Sequence, residues 1–265
     1  MAMTPATLAQ QVWAHWQSGQ PMPHWAAADR PQSRDQGYAA QAELLACSGQ
    51  AVAGWKIAAT SAAGQAHIGV SGPLAGRVFA HTLREPARAV SLAGNRMRVA
   101  EPEMCFRMGQ DLPPRPQAYS QAEVMAAVEA LHIAIEVPNS RFADFVTAGE
   151  ASLIADNACA HEFMLGPQAP DDWRTLDLAA HAVSARVSPA NATAWTRVGS
   201  GAAVLGDPRI ALTWIANELR ALGEGLRQGQ FVTTGTCMPP LQIQPGDRVE
   251  VDFGRLGRMQ AHFTD

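Results

Sequence analysis

The sequence predicts an α+β fold, a helical amino-terminal portion set on a β-rich body. Three observations carry this. Apolar residues recur at helical spacing through the first fifty residues. From "VAGWKIAAT" (52–60) onward, short β-type runs alternate with Gly and Pro punctuation. Neither repeats, low-complexity segments nor a hinge-like linker divide the chain. The division read from this is 1–50 for the helical portion and 51–265 for the β-rich body.

In the first segment, Thr4 can cap a helix with Pro5 at its first position, and Leu8, Val12 and Trp16 fall on one face before Gly19 ends it. The prolines of "QPMPHWAAADRPQS" (20–33) make a loop. A second helix is expected from about Gln36 to Cys47, stopped by Ser48-Gly49. Strands are expected over Trp55–Ala58, Arg98–Met108 and His132–Val137. Between the last two, "SQAEVMAAVEAL" (120–131) reads as a helix with a Ser120/Glu123 capping box and a buried face of Val124, Val128 and Leu131. "GDPRIALTWIANELRALGEGLRQG" (206–229) reads as a long amphipathic helix capped by Asp207 with Pro208 at its start. The tail from Phe231 reads as strands separated by a turn at Gln244–Asp247 and a hairpin closed by Gly254–Gly257.

The balance of charges excludes several function classes. A formal net charge of −4 over 265 residues gives no footprint for nucleic acid or an anionic membrane. No apolar run reaches the roughly 18–20 residues that cross a bilayer, and "MAMTPATLAQQVWAHW" lacks the charged and apolar regions of a secretory signal. Cys47, Cys105, Cys159 and Cys237 form no CxxC pair and read as reduced thiols of a cytoplasmic protein.

The chemistry starts at "AEPEMCF" (100–106). Side chains alternate along a strand, so Ala100, Pro102, Met104, Phe106 and Met108 form one apolar face. Val99, Glu101, Glu103, Cys105 and Arg107 form the other. Two carboxylates therefore share a face about 6.5–7 Å apart at the backbone. Pro102 lacks a ladder donor, so the strand is expected to be edge, irregular or bulged there. In "HIAIEV" (132–137), Glu136 occupies the smaller-residue face with His132 and Ala134. Crowded carboxylates repel unless a cation sits among them, and oxygen donors suit a hard divalent ion. On spacing alone a solvated Glu-x-Glu face is the commoner outcome, and nothing local brings the two strands together.

Seven segments occur in order: "GWKIAAT", "AEPEMCFRMGQDL", "AIEVPNSR", "IADNACA", "VLGDPRIALTWIANEL", "TTGT" and "PGDRVEVDFGRLG". Together they resemble the 2-keto-4-pentenoate hydratase branch of the fumarylacetoacetate hydrolase superfamily, which also holds 2-oxohept-3-ene-1,7-dioate hydratases and 4-oxalocrotonate decarboxylases. The resemblance runs from about Gly37 to the carboxyl terminus. It implies a mixed β-roll with a helical amino-terminal portion, a homo-oligomer, and Mg²⁺ or Mn²⁺ held by Glu101, Glu103 and Glu136. It implies a 2-oxo or 2-hydroxy-dienoate substrate from the breakdown of aromatic compounds, with a pathway aldolase or decarboxylase as candidate partner.

Lys56, in "GWKIA", matches the family lysine near the metal-bound substrate, where burial would lower its pKa toward neutrality for proton transfer. Without the family it reads as a snorkelling lysine. By the same resemblance Gly235 and Thr236 of "TTGT" cradle a substrate carboxylate, although a strand end with a Gly turn explains them too. Asp156, Asn157 and Cys159 contribute from "IADNACA", the first two as supporting hydrogen-bond partners or as ordinary turn residues. Arg141 either pairs with a carboxylate or salt-bridges Asp144, and His132 reads as a hydrogen-bonded structural histidine.

Two departures from the family pattern matter. Hydratases of this branch often carry an acid between the Pro and Gly of the loop that is "SGPLAGRVF" (71–79) here, where Leu74 and Ala75 stand. They often have Ser where this chain has Cys159. The missing acid leaves the base of the hydration step open, and Arg77 favours a second substrate carboxylate. The implied function is therefore a metal-dependent hydratase of a 2-hydroxy-2,4-dienoate. The alternatives are a 2-oxo-3-enedioate decarboxylase and a non-catalytic partner subunit of such an enzyme.

Overall fold

The structure, a computed structural model, describes residues 3–85 and 88–265. Helix α1 (Pro5–Ser18) starts at the Thr4 cap, and α2 (Arg34–Ser48) starts at Ser33. Each ends at a glycine in the left-handed region, Gly19 and Gly49. Next come β1 (Val52–Ala58), α3 (Ala62–Ile68), β2 (Leu74–Phe79), the short β3 (Leu83–Arg84) and β4 (Val90–Ser91), and the ten-residue β5 (Val99–Met108). They are followed by α4 (Gln121–Ala126), β6 (Val128–Val137), α5 (Glu150–Ala155), β7 (Glu162–Gln168), β8 (Ala182–Ser188) and β9 (Trp195–Ser200). Helix α6 (Pro208–Ala221), β10 (Phe231–Thr236), β11 (Leu241–Gln242), β12 (Arg248–Asp252) and β13 (Arg258–Thr264) complete the chain. This is the mixed helix-and-sheet class expected. Among the described residues no helix is long and apolar enough to cross a membrane, and the four cysteines are free.

Two elements depart from their sequence readings. Helix α6 ends at Ala221 rather than running on toward Gly229. The Ser120/Glu123 capping box forms, but α4 stops at Ala126, and Val128 and Leu131 belong to β6 rather than to a helix face. Leu131 lies opposite Phe106 and Val128 opposite Met108 in the β5–β6 ladder. That pairing buries both side chains on the sheet, and tertiary pairing outweighs the helical propensity of "AAVEAL".

The strands form two sheets. The larger has the order β2-β1-β10-β5-β6-β7-β3 with β11 beside β5, and the smaller has the order β4-β13-β12-β8-β9. Strand β5 is thus interior, and the irregularity expected at Pro102 lies in its neighbour. The β10 register against β5 shifts between Thr233 and Thr236, while Pro102 still accepts a bond from the Cys237 N–H at 2.8 Å. The edges β2 and β3 are joined only by the turn Ala80–Thr82. Seven flat strands would set these edges about 29 Å apart, and the linking residues span at most about 15 Å. The sheet must therefore curl on itself into a roll.

The two faces of the roll carry different residues. The outer face presents Trp55, Ile57, Phe79, Met104, Phe106, Ile133 and Ile135 to the main core, which the helices and the smaller sheet complete. On the inner face Val78, Cys105, Ala134 and Phe163, drawn from strands across the sheet, meet in a separate apolar cluster. That cluster shares the inner face with Glu103 and Glu136, and Ala134 lies directly opposite Glu103. The amino-terminal helices belong to the main core, since Leu8, Val12 and Leu44 lie in it. The Gln41 amide of α2 also bonds the Ala75 and Ile154 carbonyls at 2.8 and 2.9 Å.

Candidate metal centre and active site

The register of β5 on β6 sets Glu101 directly opposite Glu136, and Glu103 opposite Ala134. One oxygen from each of the three glutamates lies within 4.8 Å of the others. Glu103 is fully buried, Glu136 nearly so, and Glu101 is half-buried. Glu103 Oε2 accepts from the Thr233 hydroxyl and from the Gly235 N–H at 2.8 Å. Glu103 Oε1 and Glu136 Oε2 are buried without a hydrogen-bond partner. Unsatisfied buried oxygens beside a third carboxylate are costly unless a cation completes them, so this donor set fits a hard divalent ion.

Lys56 joins this cluster from β1, three strand positions from β6. Its ammonium lies 3.2 Å from Glu136 Oε1 and 3.1 Å from the Ala158 carbonyl. A flat sheet would hold the two backbones about 14 Å apart, so the contact depends on the curl. Lys56 is buried and is the only lysine among the 265 residues, against 19 arginines. That count was a legible signal for this residue. An arginine keeps its proton at any working pH, whereas a lysine can give one up.

The charges shift one another. Burial, then Glu136, lift the Glu101 carboxyl to about 7. Burial, Glu136 and Glu101 push Glu103 well above the carboxylate range. Burial also raises Glu136, with Lys56 opposing. For Lys56, burial works against the ammonium, but Glu136, Glu101 and Glu103 outweigh it, and the pKa is raised. This corrects the lowering expected from burial alone: the neighbouring carboxylates hold the proton on Nζ.

Gly235 sits at the β10 irregularity with φ 108, and a Cβ there would lie 2.1 Å from Thr60 Oγ1. Both facts require glycine, and the carboxylate its N–H cradles is that of Glu103. The Thr236 hydroxyl donates to the Met238 carbonyl at 2.8 Å. Thr233, which orients Glu103, was not singled out from the sequence. Its signal was position, since it lies opposite Lys56 in β1 and Cys105 in β5.

The "IADNACA" segment forms an unusual turn. Asn157, Ala158 and Cys159 have φ of 55, 49 and 60, three consecutive non-glycine residues in the left-handed region. Each costs about 1–2 kcal/mol, so the surroundings must hold them there. Asn157 accepts from the Arg77 N–H at 2.7 Å and donates to the Arg77 carbonyl at 2.9 Å. Arg141 donates from Nε and Nη2 to the side chain and carbonyl of Asp156, and from Nη1 to the Ala160 carbonyl at 2.9 Å. Its salt-bridge partner is thus Asp156 and not Asp144, which bonds Thr147 instead. The Ser140 hydroxyl, unremarked in the sequence, also donates to Asp156 at 2.6 Å. The Cys159 thiol is buried and pushed up to about 12 by burial and Asp156, so it is neutral.

Arg77 stands apart from the carboxylates. In the β1–β2 ladder it pairs with Trp55, whereas Lys56 pairs with Gly76. Alternation puts Arg77 on the outer face. There its guanidinium bonds Glu224 and the Gln41 amide oxygen and lies 4.7 Å over the Trp55 ring. The proposed contact with a substrate carboxylate fails for this reason. Leu74, by contrast, lies opposite Ala58 on the Lys56 face and is fully buried. The position that lacks an acid is therefore beside the site. His132 Nδ1 lies 3.1 Å from the Gly166 carbonyl, consistent with a structural role.

Comparison with known proteins gives the family of the chain. The fumarylacetoacetate (FAA) hydrolase C-terminal family matches residues 60–264. The chain is 30% identical over 260 residues to a 2-keto-4-pentenoate hydratase of Paraburkholderia xenovorans (strain LB400), covering 96% of this chain and 93% of that one. It is 32% identical over 226 residues to a 2-hydroxyhexa-2,4-dienoate hydratase of Comamonas testosteroni, covering 84% and 82%. In fold it is similar to the 4-oxalocrotonate decarboxylase from Pseudomonas putida G7, solved in complex with magnesium and adipate. The TM-score is 0.85 at 24% identity, over 98% of this chain and 97% of that one.

Proposed function

Since this chain belongs to the fumarylacetoacetate hydrolase family, we propose that it is a divalent-cation-dependent hydratase of a 2-hydroxy-2,4-dienoate in the breakdown of aromatic compounds. The observation that carries this reading is the three-carboxylate cluster with orphaned oxygens closed on one side by the only lysine. Glu101, Glu103 and Glu136 would hold Mg²⁺ or Mn²⁺. Calcium or magnesium accompanies the decarboxylase neighbour in its structures. When bound, such an ion supplies Lewis acidity to a substrate carboxylate and its 2-oxygen.

The chain's own residues supply the rest. Thr233 and Gly235 fix the orientation of Glu103. The Lys56 ammonium offsets the negative charge of three glutamates, which would otherwise repel a carboxylate substrate, and holds a proton beside the reacting carbons. Ketonisation moves the enol proton to C5 and leaves an unsaturated 2-oxo acid. Water then adds, hydroxyl to C4 and proton to C3, giving a 4-hydroxy-2-oxo acid. The apolar cluster of Val78, Cys105, Ala134 and Phe163 gives the same inner face a dry wall beside the carboxylates.

A second reading, decarboxylation of a 2-oxo-3-enedioate, is favoured by Leu74, which puts no acid beside Lys56. Against it, Arg77 is on the outer face and bound to Glu224, so the cation that favoured a second substrate carboxylate is turned away. A non-catalytic subunit would bind the metal and oxalate without turning over any dienoate. Following dienoate ultraviolet absorbance with mono- and dicarboxylate substrates, together with CO₂ release, separates the three. Turnover of dicarboxylates alone with stoichiometric CO₂ would overturn the hydratase assignment. The same reading places a homo-oligomer in the cytoplasm, with an aldolase or decarboxylase of the same pathway as partner. It also assigns residues 1–50 to a helical portion and 51–265 to the catalytic roll.

A further inference from the structure

We propose that the left-handed turn Asn157–Cys159 is a device that aims the Lys56 ammonium, and that Asn157 and Arg141 are positioning residues that do not touch the substrate. The proposal rests on the reading of Lys56 as the proton-bearing group of the site. An ammonium has three donors on a four-carbon stem with free rotation. Here two partners are fixed, Glu136 Oε1 at 3.2 Å and the Ala158 carbonyl at 3.1 Å. Tetrahedral geometry then leaves one N–H with a set direction. Ala158, whose carbonyl meets Nζ, is left-handed at φ 49 and ψ 38.

Three anchors keep the turn in place. Asn157 takes both main-chain groups of Arg77 in β2. Arg141 staples the carbonyls of Asp156 and Ala160, the residues on either side of the turn. Gly76, directly opposite Lys56 in the β1–β2 ladder, lets the turn lie on the strand, since a Cβ there would be 2.4 Å from the Asn157 carbonyl oxygen. These contacts, from β2 and from Arg141, fix the residues on both sides of Ala158, whose carbonyl meets the only lysine.

The single lysine makes the test direct, because ¹⁵N-lysine labelling gives one Nζ resonance. Asn157→Gly removes the brace while permitting the left-handed backbone. Ala158→Gly keeps the brace and the carbonyl. In Asn157→Gly the Nζ resonance should move, and kcat should fall about 10–100-fold with KM within about threefold, as for a misplaced reacting group. Magnesium affinity by calorimetry should stay within about twofold, because no glutamate is touched. In Ala158→Gly, which retains that carbonyl, the resonance should stay in place. Gly76→Ala, which pushes the turn off β2, should move the resonance as Asn157→Gly does and serves if the latter does not fold. An unmoved Nζ resonance in Asn157→Gly or Gly76→Ala overturns the proposal. So does a kcat loss that only follows a loss of thermal stability. If the wild type turns over no dienoate, the functional reading fails, and the resonance still decides the positioning.

Discussion

Glu101 and Glu136 face each other directly across the β5–β6 ladder, two carboxylates at one rung of an antiparallel pair. Like charges so placed destabilise a sheet, and here a third, Glu103, joins them from the same face. The arrangement is a cost to the fold that a bound cation would offset.

The first consequence concerns metal affinity. Glu101→Gln and Glu103→Gln should each weaken Mg²⁺ binding by roughly 100-fold or more while leaving the fold intact, because each removes one anionic oxygen ligand from a hard cation. Calorimetric titration with circular dichroism checks this. Unchanged affinity in both variants would remove the ligand assignment.

Binding should also depend on pH. Glu101 titrates at about 7 in the folded chain against an ordinary value of 4.5. The folded state then holds a proton that the unfolded chain has released, so metal-free protein should lose stability as pH rises between those values. Mg²⁺ competes with that proton, so its affinity should climb across the same window. The melting-temperature increment from Mg²⁺, measured from pH 5 to pH 8, should widen with pH; a constant increment contradicts the assignment.

Lys56→Met should leave metal binding nearly intact, raise KM for the oxo acid, and lower kcat by about 10²–10⁴, the range for losing an acid–base group. Lys56→Arg should restore KM more than kcat, since a guanidinium supplies charge but does not release a proton. A rise in KM alone in Lys56→Met would reduce the residue to charge screening.

Cys159→Ser should keep most activity. The thiol is buried, neutral and held at about 12, so it is a poor nucleophile. Rapid inactivation by a thiol reagent, prevented by substrate, would show that the sulfur takes part.

Arg77→Gln should leave the preference between mono- and dicarboxylate substrates unchanged, because the guanidinium sits on the outer face against Trp55 and Glu224. The loss should appear as stability, about 1–3 kcal/mol from buried hydrogen bonds. Denaturant unfolding beside steady-state kinetics distinguishes the two effects.

What the sequence by itself determined is local. Thr4, Ser120 and Asp207 marked helix starts because a cap is a contact within one turn. The period of two put Glu101 and Glu103 on one face because alternation is a property of a single strand. The resemblance of its motifs pointed to the residue types of the candidate site. Only the tertiary structure decided which strands meet, and that settled the rest. The β5–β6 ladder made Val128 and Leu131 strand residues and set Glu136 opposite Glu101. The curl brought Lys56 to Glu136 across two intervening strands, where carboxylates raise its pKa instead of burial lowering it. Register turned Arg77 outward, and packing gave Arg141 to Asp156. These outcomes depend on pairings between residues far apart in the chain. No short window of sequence contains them, because register, curl and burial are fixed by the whole sheet at once.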